Sequence, residues 1–190
     1  MADSALPGPS GVGPAFGASG PRGEDAVLVA VQSALADRPG VLAGARALSH
    51  FGEHSIGWLA AATLGALLQP ARRRVWVAAG AGAFGAHAAA VLIKRVVRRE
   101  RPHHPAIAVN VGTPSRLSFP SAHATSTTAA AILLGRATGL PLPAILVPPM
   151  ALSRLVLGVH YPSDVLTGVA VGTAVAKAVT MVTERVEGVR

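Results

Sequence analysis

Residues 75–93, VWVAAGAGAFGAHAAAVLI, run for 19 positions with His87 as their only ionisable side chain. A stretch of that length matches the roughly 20 residues an α-helix needs to cross a hydrocarbon core. Four more apolar segments cover about 52–69, 120–138, 142–159 and 162–183, and the run just quoted extends to 97. Hydrophobic residues make up 51% of the chain, charged residues 14%, and mean hydropathy is +0.47. That balance is too apolar for an ordinary soluble domain. The expected fold class is therefore all-α, a polytopic transmembrane bundle of about five spanning helices behind an N-terminal interfacial helix.

The flanks read differently. Residues 1–22 are rich in Gly, Pro, Ser and Ala without a basic region ahead of an apolar core, and are expected to be a disordered tail. Residues 23–51 contain AVLVAVQSALA, too short to span but suited to the membrane surface. The membrane domain is expected to occupy 52–190. Small residues at four-residue spacing, Gly168 with Gly172 and Gly85 with Ala89, predict close helix contacts. Pro148 and Pro149 predict a kink in the fourth segment.

The formal charge is +8, yet the basic residues sit at the ends of apolar runs. One Tyr and four Phe offer little for base stacking. No nucleic acid partner is expected; anionic lipids or an anionic substrate explain the charge. With no cysteine, thiolate catalysis and Cys-based metal sites are excluded. Nine acids in the whole chain supply no rich carboxylate cluster, so no metal or other cofactor is expected.

Alternating five segments across a bilayer brings particular residues to one face by parity. These are Lys94, Arg101, Ser121, His123, Arg154, His160 and Asp164. Pro is favoured at the first position of a helix, so Pro120 and Pro162 are expected to start helices and leave backbone N–H groups free around Ser121 and Ser163. Such ends attract anions. His160 precedes the second of these helices and Asp164 lies in its first turn, where it can orient one imidazole nitrogen and leave the other reactive. Cations, helix ends and two histidines suit a phosphoryl group, whose transfer spreads negative charge over its oxygens.

The motifs K-x6-R-P (Lys94, Arg101, Pro102), P-S-x-H (Pro120, Ser121, His123) and S-R-x5-H-x3-D (Ser153, Arg154, His160, Asp164) resemble the three signatures of the type 2 phosphatidic acid phosphatase family. The resemblance covers residues 94–164 in the family's order, with Ala122 where the family usually has Gly. It implies that His160 attacks phosphorus, Asp164 orients it, and His123 protonates the leaving oxygen and then activates water. It also implies that Lys94, Arg101, Ser121, Ala122 and Arg154 surround the phosphate, without metal. LSHFGEHSIGW, HPAIAVNVGTPSRLSFPSAHATSTTAA and PPMALSRLVLGVHYPSDV resemble, more narrowly, a branch acting on a polyprenyl-linked phosphosugar. The implied setting is a multi-pass protein of the cell membrane among membrane lipids, with homo-oligomerisation left open.

Other residues carry plainer expectations. Arg95, Arg98 and Arg99 are expected to anchor to headgroups, and His87 to hydrogen-bond between helices. His50, His54, His103 and His104 are expected to be solvated, with His103 and His104 within reach of a sugar phosphate. TSTT at 125–128 is expected to serve helix packing. Alternative functions are a polyprenyl diphosphate or phosphatidate phosphatase, or a non-catalytic lipid-phosphate transporter or scaffold. A soluble haloperoxidase with the same site architecture is disfavoured by the apolar segments.

Overall fold

The computed structural model describes residues 20–188; positions 1–19 of the expected tail lie outside the described residues. All regular elements there are helical: α1 (Gly23–Leu35), α2 (Val41–Gly52), α3 (Ile56–Leu68), α4 (Arg73–Val97), α5 (Ala122–Thr138), α6 (Leu142–Val156) and α7 (Pro162–Gly188). Single 3₁₀ turns at Glu53–Ser55 and Pro70–Arg72 lead into α3 and α4.

The helix ends follow local chemistry, with one departure. Pro162 opens α7 as expected. Pro120 does not open α5: Ser121 is its N-cap, with Oγ accepting from the Ala124 N–H at 3.4 Å. A hydroxyl that can accept from the first turn outcompetes the proline preference here. The fourth apolar segment is also shorter than expected. α6 runs through Pro148 and Pro149 but stops at Val156. Gly158 then turns the chain at φ 69°, and a Cβ there would collide with the backbone of Ala108.

α5 is the central helix, packed against α4, α6 and α7. Its Ala129, Ala130, Ala131 and Ala137 have no exposure, so neighbouring backbones approach closely. The TSTT run is buried with them. Thr125 Oγ1 donates to Ser121 O at 2.8 Å, and Thr127 Oγ1 accepts from Trp58 Nε1 at 3.2 Å. Gly168 and Gly172 press on α5 as expected, but Gly85 faces open space. Identical spacing on two helices therefore has two outcomes, because α4 packs through Ala79, Gly82, Ala83, Ala86 and Ala90 and leaves Gly85 on its outer side.

The surface is inverted relative to a soluble protein. Leu64, Leu67, Leu68, Phe84, Leu92 and Leu166 are exposed, while Arg154 and Asp164 are buried. Two helical stretches, Pro70–Val97 and Pro162–Val186, are long and apolar enough to cross a membrane. Only 39% and 22% of their apolar windows are buried, so they are not the enclosed core helices of a soluble domain. α3, α5 and α6 have 13, 17 and 15 residues, below the length of a straight span. α1 places Leu28 and Gln32 against the bundle, where Gln32 Nε2 donates to Ala108 O (2.7 Å) and Val156 O (3.0 Å).

The α5–α7 contact is testable. In Gly172→Ala the new methyl meets the Thr125 carbonyl and the Thr128 Cβ. Overpacking of this kind costs about 1–3 kcal/mol, so the thermal midpoint in detergent should fall. Gly85→Ala, added to open space, should leave it unchanged.

Candidate active site

Residues 98–121 connect α4 to α5 without a regular element and form the roof of the site. Arg98 ends α4 in a left-handed conformation (φ 55°). The connection is pinned to itself by Ser118 N–H donating to Arg99 O (2.8 Å) and Arg101 N–H to Arg116 O (3.2 Å). It is pinned to the helices by Gln32 and by Arg46 Nε, which donates to Asn110 O at 2.9 Å. Under it lies a cavity of about 560 Å³ whose lining includes Lys94, Arg101, Ala122, His123, Arg154 and His160. Residues separated by up to 66 positions thus meet at one end of the bundle.

Each cation is held by acceptors that leave donors to spare. Lys94 Nζ donates to Ser118 O (2.8 Å) and Leu117 O (3.2 Å). Arg101 donates from Nε to Ser115 O (2.8 Å) and from a terminal nitrogen to Val159 O (2.6 Å). Arg154, 1% exposed, donates to both the Ser153 and Ser49 hydroxyls at 3.1 Å. None of the three pairs with a carboxylate among the described residues, so their charge is available to an anion in the cavity.

The same contacts set the imidazole tautomers. Arg101 approaches His160 Nε2 at 3.3 Å, and a guanidinium cannot accept a hydrogen bond. Nε2 therefore presents its lone pair and Nδ1 carries the proton. Burial, then the charges of Arg101, Lys94 and Arg154, hold the His160 imidazole well below its usual range. It is neutral at pH 7 and loses its lone pair only as pH falls through that lowered value. His123 Nε2 lies 2.9 Å from Ser49 O, which only accepts, so its Nδ1 is the basic nitrogen.

Asp164 has no exposure, and its partners differ from those expected. Its Oδ2 accepts from the Tyr161 N–H at 2.8 Å and lies 3.7 Å from His160 Nδ1, beyond a hydrogen bond. Its Oδ1 accepts from Arg99 at 3.0 Å. The same Arg99 donates to Ser163 Oγ (2.7 Å) and Glu24 (2.6 Å) and lies 4.0 Å over the Tyr161 ring. The Ser163 N–H, expected to be free for an anion, donates to Glu24 Oε1 at 2.8 Å. Burial raises the Glu24 carboxyl, but the bonds from Arg99 and Ser163 outweigh it and leave the group below its usual range. The start of α7 is thus satisfied by the chain's own carboxylate from α1.

Arg99 is therefore no headgroup anchor but a positioning residue for Asp164, and spacing alone could not separate it from Arg95 and Arg98. Ser121 is wholly buried, capping α5 with Oγ and donating its N–H to Asp164 O at 2.9 Å. It is not among the residues lining the cavity, whereas Ala122 is. His50, His54 and His87 do line it; His103 and His104 do not. Among the described residues, no group of three or more His, Asp and Glu is placed to hold a metal ion.

Removing Arg99 strips a buried carboxylate of a charged partner. Hydrogen bonds to charged groups are worth about 1.5–3 kcal/mol, so Arg99→Ala should lower kcat by about 10- to 100-fold on a synthetic lipid phosphate. Arg99→Lys should recover part of the loss, and the acid limb of the pH–rate profile should move in Arg99→Ala. A headgroup anchor would change membrane partitioning and leave that limb in place.

A protein of Mycolicibacterium smegmatis described as decaprenylphosphoryl-5-phosphoribose phosphatase is 82% identical over 148 residues, 78% of this chain and 82% of that one. A Mycobacterium tuberculosis protein of the same description is 75% identical over 162 residues, 85% of this chain and 92% of that one. The fold is similar to that of a transmembrane PAP2 type phosphatidylglycerolphosphate phosphatase from Bacillus subtilis, with TM-score 0.64 and 19% identity over 84% of this chain and 86% of that one. It is also similar to that of Aquifex aeolicus LpxE, with TM-score 0.61 and 18% identity over 82% and 93%. The PAP2 superfamily profile matches residues 74–187, across all three motifs and the helices that carry them. On that match and those relatives, the chain belongs to the PAP2 superfamily.

Proposed function

We propose that this membrane lipid-phosphate phosphatase hydrolyses the 5-phosphate of decaprenylphosphoryl-5-phosphoribose, releasing decaprenylphosphoryl ribose and inorganic phosphate. The observation that carries the chemistry is a neutral His160, its Nε2 beside Arg101, lining a cavity with three cations that have no carboxylate partner among the described residues. The descriptions of the two mycobacterial relatives support the substrate.

Lys94, Arg101 and Arg154 bind the phosphate oxygens, with Ala122 at the adjoining start of α5. Ser121 contributes by capping that helix. His160 Nε2 attacks phosphorus; a P–N bond forms as the bond to the sugar oxygen breaks. His123, protonated on its basic nitrogen, gives its proton to the leaving alkoxide. It then takes one from water, whose oxygen attacks phosphorus and breaks the P–N bond. Asp164 draws in the His160 Nδ1–H as positive charge develops on the ring; such contacts are often long before substrate binds. No metal is needed, because the cations neutralise the equatorial oxygens.

His160→Ala should give neither turnover nor phosphoenzyme. His123→Ala should lose about 10² to 10⁴ in turnover, yet accumulate phosphoenzyme from p-nitrophenyl phosphate, whose leaving group needs no acid. Asp164→Asn should fall between them. The assay, run in EDTA, is an acid-labile, base-stable label trapped by a rapid alkaline, denaturing quench. Label surviving in His160→Ala, or appearing on Ser121, reassigns the nucleophile, and dependence on Mg²⁺ defeats the metal-free mechanism.

In the cell membrane, α3 to α7 would make five passes, the shorter helices extended by their flanking turns, with α1 at the surface beside the site. The cysteine-free sequence makes this directly testable. Of single cysteines replacing Arg73 and His104, an impermeant maleimide should label one in intact cells and the other only in inverted membrane vesicles. Labelling of both from one side defeats the topology.

A further inference from the structure

The cavity does not end at the phosphate-binding cations. It continues along α4 from Lys94 to His87, seven residues and so about 10 Å nearer the middle of the helix. Facing His87 is His54, their ring centroids 5.8 Å apart. The reaction described above uses neither.

Both are held in place at a cost to the fold. His54 and Ser55 are consecutive non-glycine residues with positive φ, 49° and 63°. Conformations of this kind persist where surrounding structure enforces them, and they cluster at ligand sites. Here Ser55 is fully buried, and its Oγ reaches Ala83 O on α4 at 3.5 Å. That contact braces the turn one helical turn from His87. His87 Nδ1 is itself buried and has no hydrogen-bond partner among the described residues, although a helix–helix bond was expected of it. An unmatched polar nitrogen deep in an apolar helix is unfavourable unless a ligand group meets it.

The position of the pair identifies the ligand chemistry. A lipid monophosphate esterified directly to its hydrocarbon would put methylenes between these rings. A lipid whose reactive phosphate is followed by a sugar and a phosphodiester would put hydroxyls and anionic oxygens there. We infer that His54 and His87 form a second subsite, which binds the sugar–phosphodiester linker between the reactive phosphate and the lipid chain. This inference rests on the substrate proposed above, and makes the pair the element that selects it over simpler lipid phosphates.

The test compares kcat/KM for prenylphosphoryl-5-phosphoribose and for prenyl monophosphate of equal chain length. Rates are normalised to the sites that p-nitrophenyl phosphate can label, so misfolded protein is not counted. The wild type should favour the sugar lipid. His87→Ala and His54→Ala should each lower that preference by about tenfold or more, and His87→Gln, which keeps a donor and an acceptor, should restore part of it. An unchanged preference, whether both rates fall together or neither falls, overturns the subsite. A wild type that hydrolyses only the monophosphate overturns the proposed substrate instead. In that event prenylphosphoryl ribose is tested as an inhibitor: a Ki raised in His87→Ala upholds the subsite, and an unchanged Ki rejects it.

Discussion

Asp164 is a carboxylate with no solvent exposure, and four parts of the chain supply what makes that tolerable. Tyr161 gives a backbone N–H, Arg99 a guanidinium, and α5 a hydrogen bond from Ser121 to the Asp164 carbonyl. α1 contributes Glu24, which balances Arg99 and fills the Ser163 N–H. An unpaired buried charge is strongly destabilising, so these contacts stand or fall together. Fixing Asp164 fixes the start of α7, the entry of α5 and the roof between α4 and α5. Asp164, 3.7 Å from His160 Nδ1, is thus the junction of this end of the bundle.

That junction keeps Asp164 and Glu24 on Arg99 and out of the cavity lining, which includes Glu53. Lys94, Arg101 and Arg154 are hydrogen-bonded to neutral groups, oxygens for all three and the His160 ring nitrogen as well for Arg101. In a low-dielectric surround such uncompensated cations favour a dense anion, and they favour it more as negative charge builds on the transferred oxygens. Together with burial, they also suppress protonation of His160, so the field that attracts an anion keeps this imidazole neutral.

The apolar exterior determines how a lipid can reach this end. Leucines and valines are exposed on the outer faces of α3, α4 and α7, and Lys94, Arg154 and Asp164 are enclosed. The polar cavity descends beside α4, so a lipid's reactive group can lie at the cations while its chain remains in hydrocarbon. The helices that carry the chemistry are held together by small residues: Gly168 and Gly172 on α7, and the alanines of α5. Without a hydrophobic drive inside a bilayer, close backbone approach must do that work.

The sequence by itself determined the class of molecule and the motifs from which the candidate site is drawn. Apolar runs the length of a bilayer leave few alternatives to helices, and three motifs name His123, His160, Asp164 and the cations whatever the packing. Tertiary structure alone decided which of several equivalent residues joins them. Arg95, Arg98 and Arg99 are alike in spacing, but the left-handed turn at Arg98 ends α4 and sets Arg99 against α7. Glu24 lies 140 positions from Asp164, and no local pattern links them. Gly85 and Gly172 share one motif, yet only Gly172 meets a neighbour. The Glu53–Ser55 turn brings His54 opposite His87, 33 positions away, through backbone angles that side-chain chemistry does not advertise. Periodicity and motif are properties of neighbouring residues. Partner choice across the bundle depends on how helices end and cross, and those are decided only when the whole chain packs.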